Sequence, residues 1–380
     1  MGKLLVNMTT INELFFDLIR VALGNGEGMR KIPTVEEWYG IFDEASNQAV
    51  VGILLEGIKK LPDTQRPPQR LLLEWIGVSE QIKHQNTVVD KQTCKIWNKL
   101  KKDGLNSAIL KGQGIATLYG ELAPYRQSGD IDIWVKGGYK AVCDYVQQTL
   151  PTDDLAYHRF HYPYFEDTEV ELHHRPTLMR NLLDDRKLAK WYNSFGADSF
   201  IYLENKGFAV PSLEFNRIFI LTHIYRHFLF EGIGLRQVMD YYFMLKNCHT
   251  DTTEISEIGK TLKSFRMLRF AEAMMWILNT QFGLGEKFLI CGMNEKEGRF
   301  VLSEICKTGN FGHSDTRYKY QHLFKLRRQI AHGSHLLLHY PSEVIWTPIW
   351  LVYHKVWKWR KKRMIHKKEI HNDYYKRDIG

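Results

Sequence analysis

Two carboxylates one residue apart, Asp130 and Asp132, sit in the otherwise apolar run Ile131-Asp132-Ile133-Trp134-Val135. Alternate residues of a strand share a face, so Asp130 and Asp132 project together while Ile131, Ile133 and Val135 turn to a core. Such a pair is costly unless something positive joins it, and a divalent metal is the fitting partner. The same parity recurs in Glu169-Val170-Glu171-Leu172-His173, where Val170 and Leu172 face one way and Glu169, Glu171 and His173 the other. With both strands in one sheet, Glu171 becomes the third carboxylate, with Glu169 its rival. His173, and not His174, falls on the same face. Oxygen ligands without cysteine suit Mg²⁺ or Mn²⁺. Upstream, Lys111-Gly112-Gln113-Gly114 is a small basic turn at the start of a helix, where N–H groups and the helix dipole favour phosphate. Together these residues describe metal-dependent phosphoryl or nucleotidyl transfer.

The elements that must position them read as follows. Ser107 to Leu110 is a short strand, Ile115 to Tyr119 a short helix and Ile131 to Val135 a second strand. A helix from about Tyr139 to Leu150 follows Gly137-Gly138. Short alternating runs come next, at 156–159, 162–165 and 169–173. The flanks are helical. Thr34 is an N-cap before Val35-Glu36-Glu37, and a long helix runs from about Arg70 to Leu105. After Leu213 the stripe Phe219, Ile220, His223, Ile224, His227, Phe228 leads to a helix carrying Leu235 to Leu245. Further helical pieces span about 254–282 and 295–307. A loop at 308–316, a helix near Tyr320 to Leu338, a break at Pro341 and an aromatic helix from Trp346 complete the chain. The expected class is α+β: a small mixed, twisted sheet with helices on one side, flanked by helical regions. The expected organisation is an N-terminal helical region (1–105), an α/β core (106–212), a helical domain (213–340) and a basic aromatic tail (341–380).

With 380 residues, 44% hydrophobic and 25% charged, the chain has the composition of a globular protein and not of a disordered one. The five cysteines form no Cys-x-x-Cys pair, which argues against a structural zinc site and a disulfide framework. No stretch approaches the roughly 20 apolar residues of a membrane span, and Met1 to Thr10 lacks the pattern of a secretory signal. The expectation is a cytoplasmic protein, peripheral to the membrane at most. The net charge of +9 is concentrated at the end: from residue 351 onward ten Lys or Arg face three acids. The basic balance therefore does not make the main body a nucleic-acid binder.

At this point the residues carry a resemblance. Leu110-Lys111-Gly112, Leu118-Tyr119, the run from Arg126 through Gly129-Asp130-Ile131-Asp132-Ile133-Trp134-Val135, and Val170-Glu171-Leu172-His173-His174-Arg175 resemble the uncharacterised nucleotidyltransferase family of the DNA polymerase β-like superfamily. His223 to His227 and Leu235-Arg236 with Asp240 resemble that family's segment after the core. The likeness spans about residues 105 to 245. It implies a polymerase β-like core in which Asp130, Asp132 and Glu171 hold two Mg²⁺ (or Mn²⁺) ions and are catalytic. It further implies that Lys111, Gly112, Gln113 and Gly114 cradle the phosphates of an NTP donor, ATP among the candidates. Arg126 would offset leaving-group charge, and Arg236 and Asp240 would contact nucleotide or acceptor. The acceptor, whether protein, RNA or small molecule, is not legible. Where the superfamily usually has Gly-Ser, this chain has Lys111-Gly112-Gln113-Gly114, and Glu171 replaces a more common Asp.

Three rival readings accompany this one. An Asp-x-Asp also serves sugar-nucleotide glycosyltransferases, but those place alternating strands and helices ahead of it, where this chain reads helical. A nucleotidyltransferase fold kept as a binding module is the non-enzymatic alternative. His223 and His227, at i and i+4, lack the Glu of a zinc protease and read as core or pocket-lining groups. In the tail, Trp346, Trp350, Tyr353 and Trp357 share one helical face beside many lysines. Residues 346–368 are thereby a contact for an anionic membrane surface or nucleic acid, unless the aromatic face packs on the chain itself.

Overall fold

Thr34 Oγ1 accepts a hydrogen bond from Glu37 N and the Glu37 carboxylate accepts one from Thr34 N, a capping box that starts a helix where the sequence places it. The computed structural model describes residues 2–249, 251–313, 333 and 335–377. The chain opens with α1 (Gly2–Leu23), α2 (Val35–Asn47), α3 (Val51–Lys60) and the long α4 (Gln69–Lys102). Then come β1 (Ser107–Ile109), the single turn α5 (Gln113–Ala116), β2 (Ile131–Val135), α6 (Gly138–Thr149), β3 (Arg159–His161) and β4 (Val170–His173). The second half holds α7 (Leu182–Ser194), the hairpin β5 (Phe200–Leu203) and β6 (Phe208–Pro211), α8 (Leu213–Phe230), α9 (Leu235–Lys246), α10 (Thr252–Ser264), α11 (Leu268–Thr280), α12 (Glu295–Thr308) and α13 (Pro341–Arg377). The fold is α+β, as the sequence pattern implies.

The main sheet runs β1-β2-β4-β3, with β2 and β4 parallel and the two outer pairings antiparallel. Register fixes the chemistry, because a parallel ladder sets Asp132 beside Glu171 and Trp134 beside His173. Apolar residues pack both faces, which corrects the one-sided layering expected. Ile131, Ile133, Val135, Val170 and Leu172 meet Val89, Ile96 and Trp97 of α4 and Val142 and Val146 of α6. On the opposite face Trp134 stacks on Phe215 of α8 at 4.9 Å and meets Tyr192 of α7. That aromatic floor leaves the carboxylates at the other end of the strands facing a cleft.

The helical flanks close on each other through one hydrophobic cluster that includes α1, α3, α8, α9 and α11. Asn25 donates to Tyr242 Oη at 2.7 Å and to the Phe282 carbonyl at 2.6 Å, and Gln48 Oε1 accepts from Leu235 N. The tail helix starts at Pro341 and not near Trp346, because proline is well suited to a first helical position. Buried Glu343 anchors it by accepting from the backbone N–H groups of Arg180 and Asn181 at 2.8 and 3.2 Å. Tyr157 lies among Trp350, Tyr353 and Trp357 at 6.4, 5.9 and 5.1 Å. The aromatic face therefore packs on the chain itself. The helix expected near Tyr320 to Leu338 falls largely outside the described residues. Among the described residues no helix is long and apolar enough to cross a membrane, and the five cysteines form no disulfide.

Candidate active site

Asp132, the second residue of β2, is almost wholly buried. Its Oδ1 lies 2.8 Å from His173 Nε2 and its Oδ2 2.9 Å from the Lys111 ammonium. Burial opposes its charge, but Lys111 and His173 hold its carboxyl well below the usual carboxylate range. Glu171, its neighbour across the ladder, lies 3.3 Å from His173 Nε2 and 2.5 Å from Arg159 Nη1 of β3. Burial and the adjacent Asp132 charge push the Glu171 carboxyl up. Burial disfavours the charged His173 ring, yet its bonds to both carboxylates outweigh that and raise its pKa. Glu169 is exposed at the strand's start, so the ladder selects Glu171.

One donor atom from each of Asp132, Glu171 and His173 lies within 4.8 Å of the others. Among the described residues these three form a group that could hold one ion, and Asp130, expected with Asp132 and Glu171 to hold metal, lies outside it. Asp130 precedes β2, is about a third exposed (36%), and stands 3.9 Å from Lys111 at the cleft's mouth. Two carboxylates and an imidazole, with a third carboxylate at the entrance, are a set of donors that could hold a divalent metal ion. His173 Nδ1 is buried without a partner. Lys111 and Arg159 already offset two of the three negative charges, and a metal on Asp132 would have to compete with the Lys111 ammonium for its oxygens.

The basic turn divides in two. Lys111 and Gly112 line the cleft. Gly112 adopts φ +52° and ψ −115°, a conformation natural to glycine alone, and this lets the chain turn under Asp130. Gln113 is instead buried, its amide donating to Asp90 of α4. Gly114 is packed so closely that a Cβ would stand 2.7 Å from the Ile109 carbonyl oxygen. Because α5 is a single turn, its dipole adds little to phosphate binding.

Arg126 and Asp240 form a buried bidentate pair, Nε to Oδ1 at 2.6 Å and Nη2 to Oδ2 at 2.7 Å, and Tyr119 Oη donates to the same carboxylate at 2.6 Å. The pair staples the end of the loop before β2 to α9. Arg236 donates to the Gln127 carbonyl at 2.9 Å, keeps a buried Nε without a partner, and lines the cleft.

The cleft has two lobes that share Lys111, Asp130, His223 and Phe311. One continues to Arg126, Arg236 and Asp240. The other, about 180 Å³, is walled by His158, Arg159, Glu171, His173, Arg226, His227 and Glu231. His223 and His227 thus line the cleft, their rings 4.3 Å apart, and His227 Nδ1 lies 2.5 Å from Glu231 Oε2. Burial, with Lys111 nearby, keeps His223 well below the ordinary imidazole value. His158, Arg159, Arg226, Glu231 and Phe311 had gone unmarked in the sequence. Arg159 carried a faint signal, a charge inside an alternating run. Phe311, at φ +53°, carried none.

A mixed sheet that sets paired carboxylates over a polar, cation-lined cleft defines the class of protein: an α+β protein with a buried group of donors that could hold a metal ion. The chain belongs to the family described as uncharacterised nucleotidyltransferase, whose pattern it matches over residues 34–283. The match takes in helices α2 to α4, well upstream of the resembling motifs. Comparison with curated proteins and with solved structures returns no match.

Proposed function

We propose that the cleft transfers a nucleoside monophosphate from an NTP to an acceptor hydroxyl, releasing pyrophosphate. The observation that carries this reading is the side-by-side placement of Asp132 and Glu171 on one sheet face, with Asp130 at the entrance and Lys111 and Arg236 on the walls. A divalent ion held by Asp132, Glu171 and Asp130, with His173 beside them, would neutralise phosphate charge and activate the attacking oxygen. The lobe with Arg236 and Lys111 suits the triphosphate, since Arg236 has an unpartnered buried Nε to offer. The lobe with His158, His223 and His227 suits the acceptor. There the acceptor oxygen attacks the α-phosphorus in line, its proton passes to a base of that lobe, and the bond to pyrophosphate breaks.

The glycosyltransferase reading loses ground, because the elements ahead of Asp130 are helices α1 to α4, the short strand β1 and the single turn α5, not an alternation of strands and helices. We retain the boundaries at 106 and 212 for the unit that carries the carboxylates. The test is incubation with each α-³²P-labelled NTP, Mg²⁺ and cell lysate. Label should enter one fraction with the wild type and not with Asp132→Asn. Equal labelling by both proteins, or none by either with any NTP, would remove the reading.

A further inference from the structure

The tail helix turns its aromatic face inward, and what it offers to solvent is a second, aliphatic face. Ile345, Ile349, Val352, Val356 and Trp359 follow spacings of four and three residues and are 49% to 67% exposed. At 100° per residue they fall on one stripe, about 21 Å long at 1.5 Å per residue. Exposure of this kind on an anchored helix marks an interaction surface. The helix is held by Glu343 at one end and by buried Trp350 and Ile365 along its inner side. The apolar surface runs on into a cavity of about 400 Å³ lined by Leu183 and Ile345, with Arg266 and Arg269 on its wall.

The charges beside the stripe identify the occupant. No Asp or Glu occurs between Glu343 and Glu369, whereas Lys355, Lys358, Arg360 and Arg363 follow the stripe. Lys355 and Arg360 flank it and are exposed, and Arg363 stacks over Trp359 at 4.7 Å. A second copy of the chain would fit the four-three spacing, but it would set Lys and Arg against Lys and Arg across the seam. Single-stranded nucleic acid is read by stacking on successive aromatic rings, whereas Trp350, Tyr353 and Trp357 pack around Tyr157 and the stripe itself carries one ring, Trp359. An aliphatic stripe with one tryptophan and basic flanks matches the interface of an anionic bilayer, where apolar residues enter the headgroup boundary and Lys and Arg meet lipid phosphate.

We propose that α13 docks this protein on an anionic membrane surface, with the stripe from Ile345 to Trp359 laid into the headgroup region. The proposal does not depend on the reading of the cleft. Its test is co-sedimentation of the full chain with vesicles of phosphatidylcholine, with and without phosphatidylserine. The protein should sediment with the anionic vesicles and not with the neutral ones. Val352→Glu/Val356→Glu and Lys355→Glu/Arg360→Glu should each lower the partition coefficient by at least about tenfold. These positions are exposed, so melting curves should match the wild type. Should the paired glutamates loosen the helix, Trp359→Ala at unchanged melting temperature gives the same reading. Failure to sediment with anionic vesicles overturns the proposal, as does sedimentation indifferent to every variant. A dimer that the stripe variants dissociate would assign the face to self-association instead, and retention of single-stranded RNA dependent on Lys355 and Arg360, without vesicle binding, would assign it to nucleic acid.

Discussion

Asp240→Asn tests whether Arg126 and Asp240 serve the nucleotide or the fold. Both carboxylate oxygens are engaged by the Arg126 guanidinium, one also receives the Tyr119 hydroxyl, and all three groups are buried. Removing one charge leaves the Arg126 cation buried and unpaired, which costs about 3–5 kcal/mol. At roughly 2.1 cal/mol/K per residue, a chain of 380 residues unfolds with an entropy of about 0.8 kcal/mol/K. The melting temperature should therefore fall by about 4–6 °C. Arg126→Met/Asp240→Leu should melt above either single variant, since only the Tyr119 hydroxyl then lacks its partner. The assay is thermal unfolding followed by circular dichroism for the wild type, both singles and the double, with NTP titrations alongside. An Asp240→Asn protein that melts like the wild type but binds NTP far more weakly would refute the structural assignment and return the pair to the nucleotide.

Lys111→Met removes the cation that lies 2.9 Å from Asp132. Mn²⁺ affinity, read by electron paramagnetic resonance, should tighten by at least about tenfold while NTP binding weakens; unchanged Mn²⁺ affinity would mean that Lys111 and the metal do not compete. Gly112→Ala forces a side chain into φ +52° and should cost about 1–3 kcal/mol in denaturant unfolding. Burial lifts the Glu343 carboxyl to about 7, against the backbone N–H groups that favour its charge. A carboxyl raised on folding contributes stability below its unfolded value of 4.5 and loses it as pH climbs through about 7. The melting temperature of the wild type relative to Glu343→Gln should therefore fall between pH 5 and pH 8, and parallel profiles would contradict the assignment.

Local pattern carried the strands that hold the carboxylates. Alternation alone put Ile131 and Ile133 inward and Asp132 outward, and it grouped Glu171 with His173. It could not choose Glu171 over Glu169, because that choice is made by the hydrogen-bond register between two strands separated in the chain. The Lys111 side chain is long enough to reach phosphate or carboxylate, and its destination depends on residues some twenty positions away. Arg126 and Asp240 lie on separate elements, and nothing local links them. The helix α7 and the hairpin β5–β6 escaped notice for different reasons. The first has a polar sequence whose clearest mark is the Asn181 cap, and each hairpin strand is only four residues long. The aromatic stripe of α13 was legible as a face, but which way it turned depended on Tyr157.

The central claim is that Asp132 and Glu171 hold a metal that binds the donor nucleotide. Calorimetric titration of ATP, GTP, CTP and UTP into the wild type and into Asp132→Asn, each with Mg²⁺ and with EDTA, tests it directly. The account predicts that at least one NTP binds the wild type in Mg²⁺, and that this binding is lost both in EDTA and in the variant at an unchanged fold. Equal binding in EDTA, or in Asp132→Asn, would contradict it.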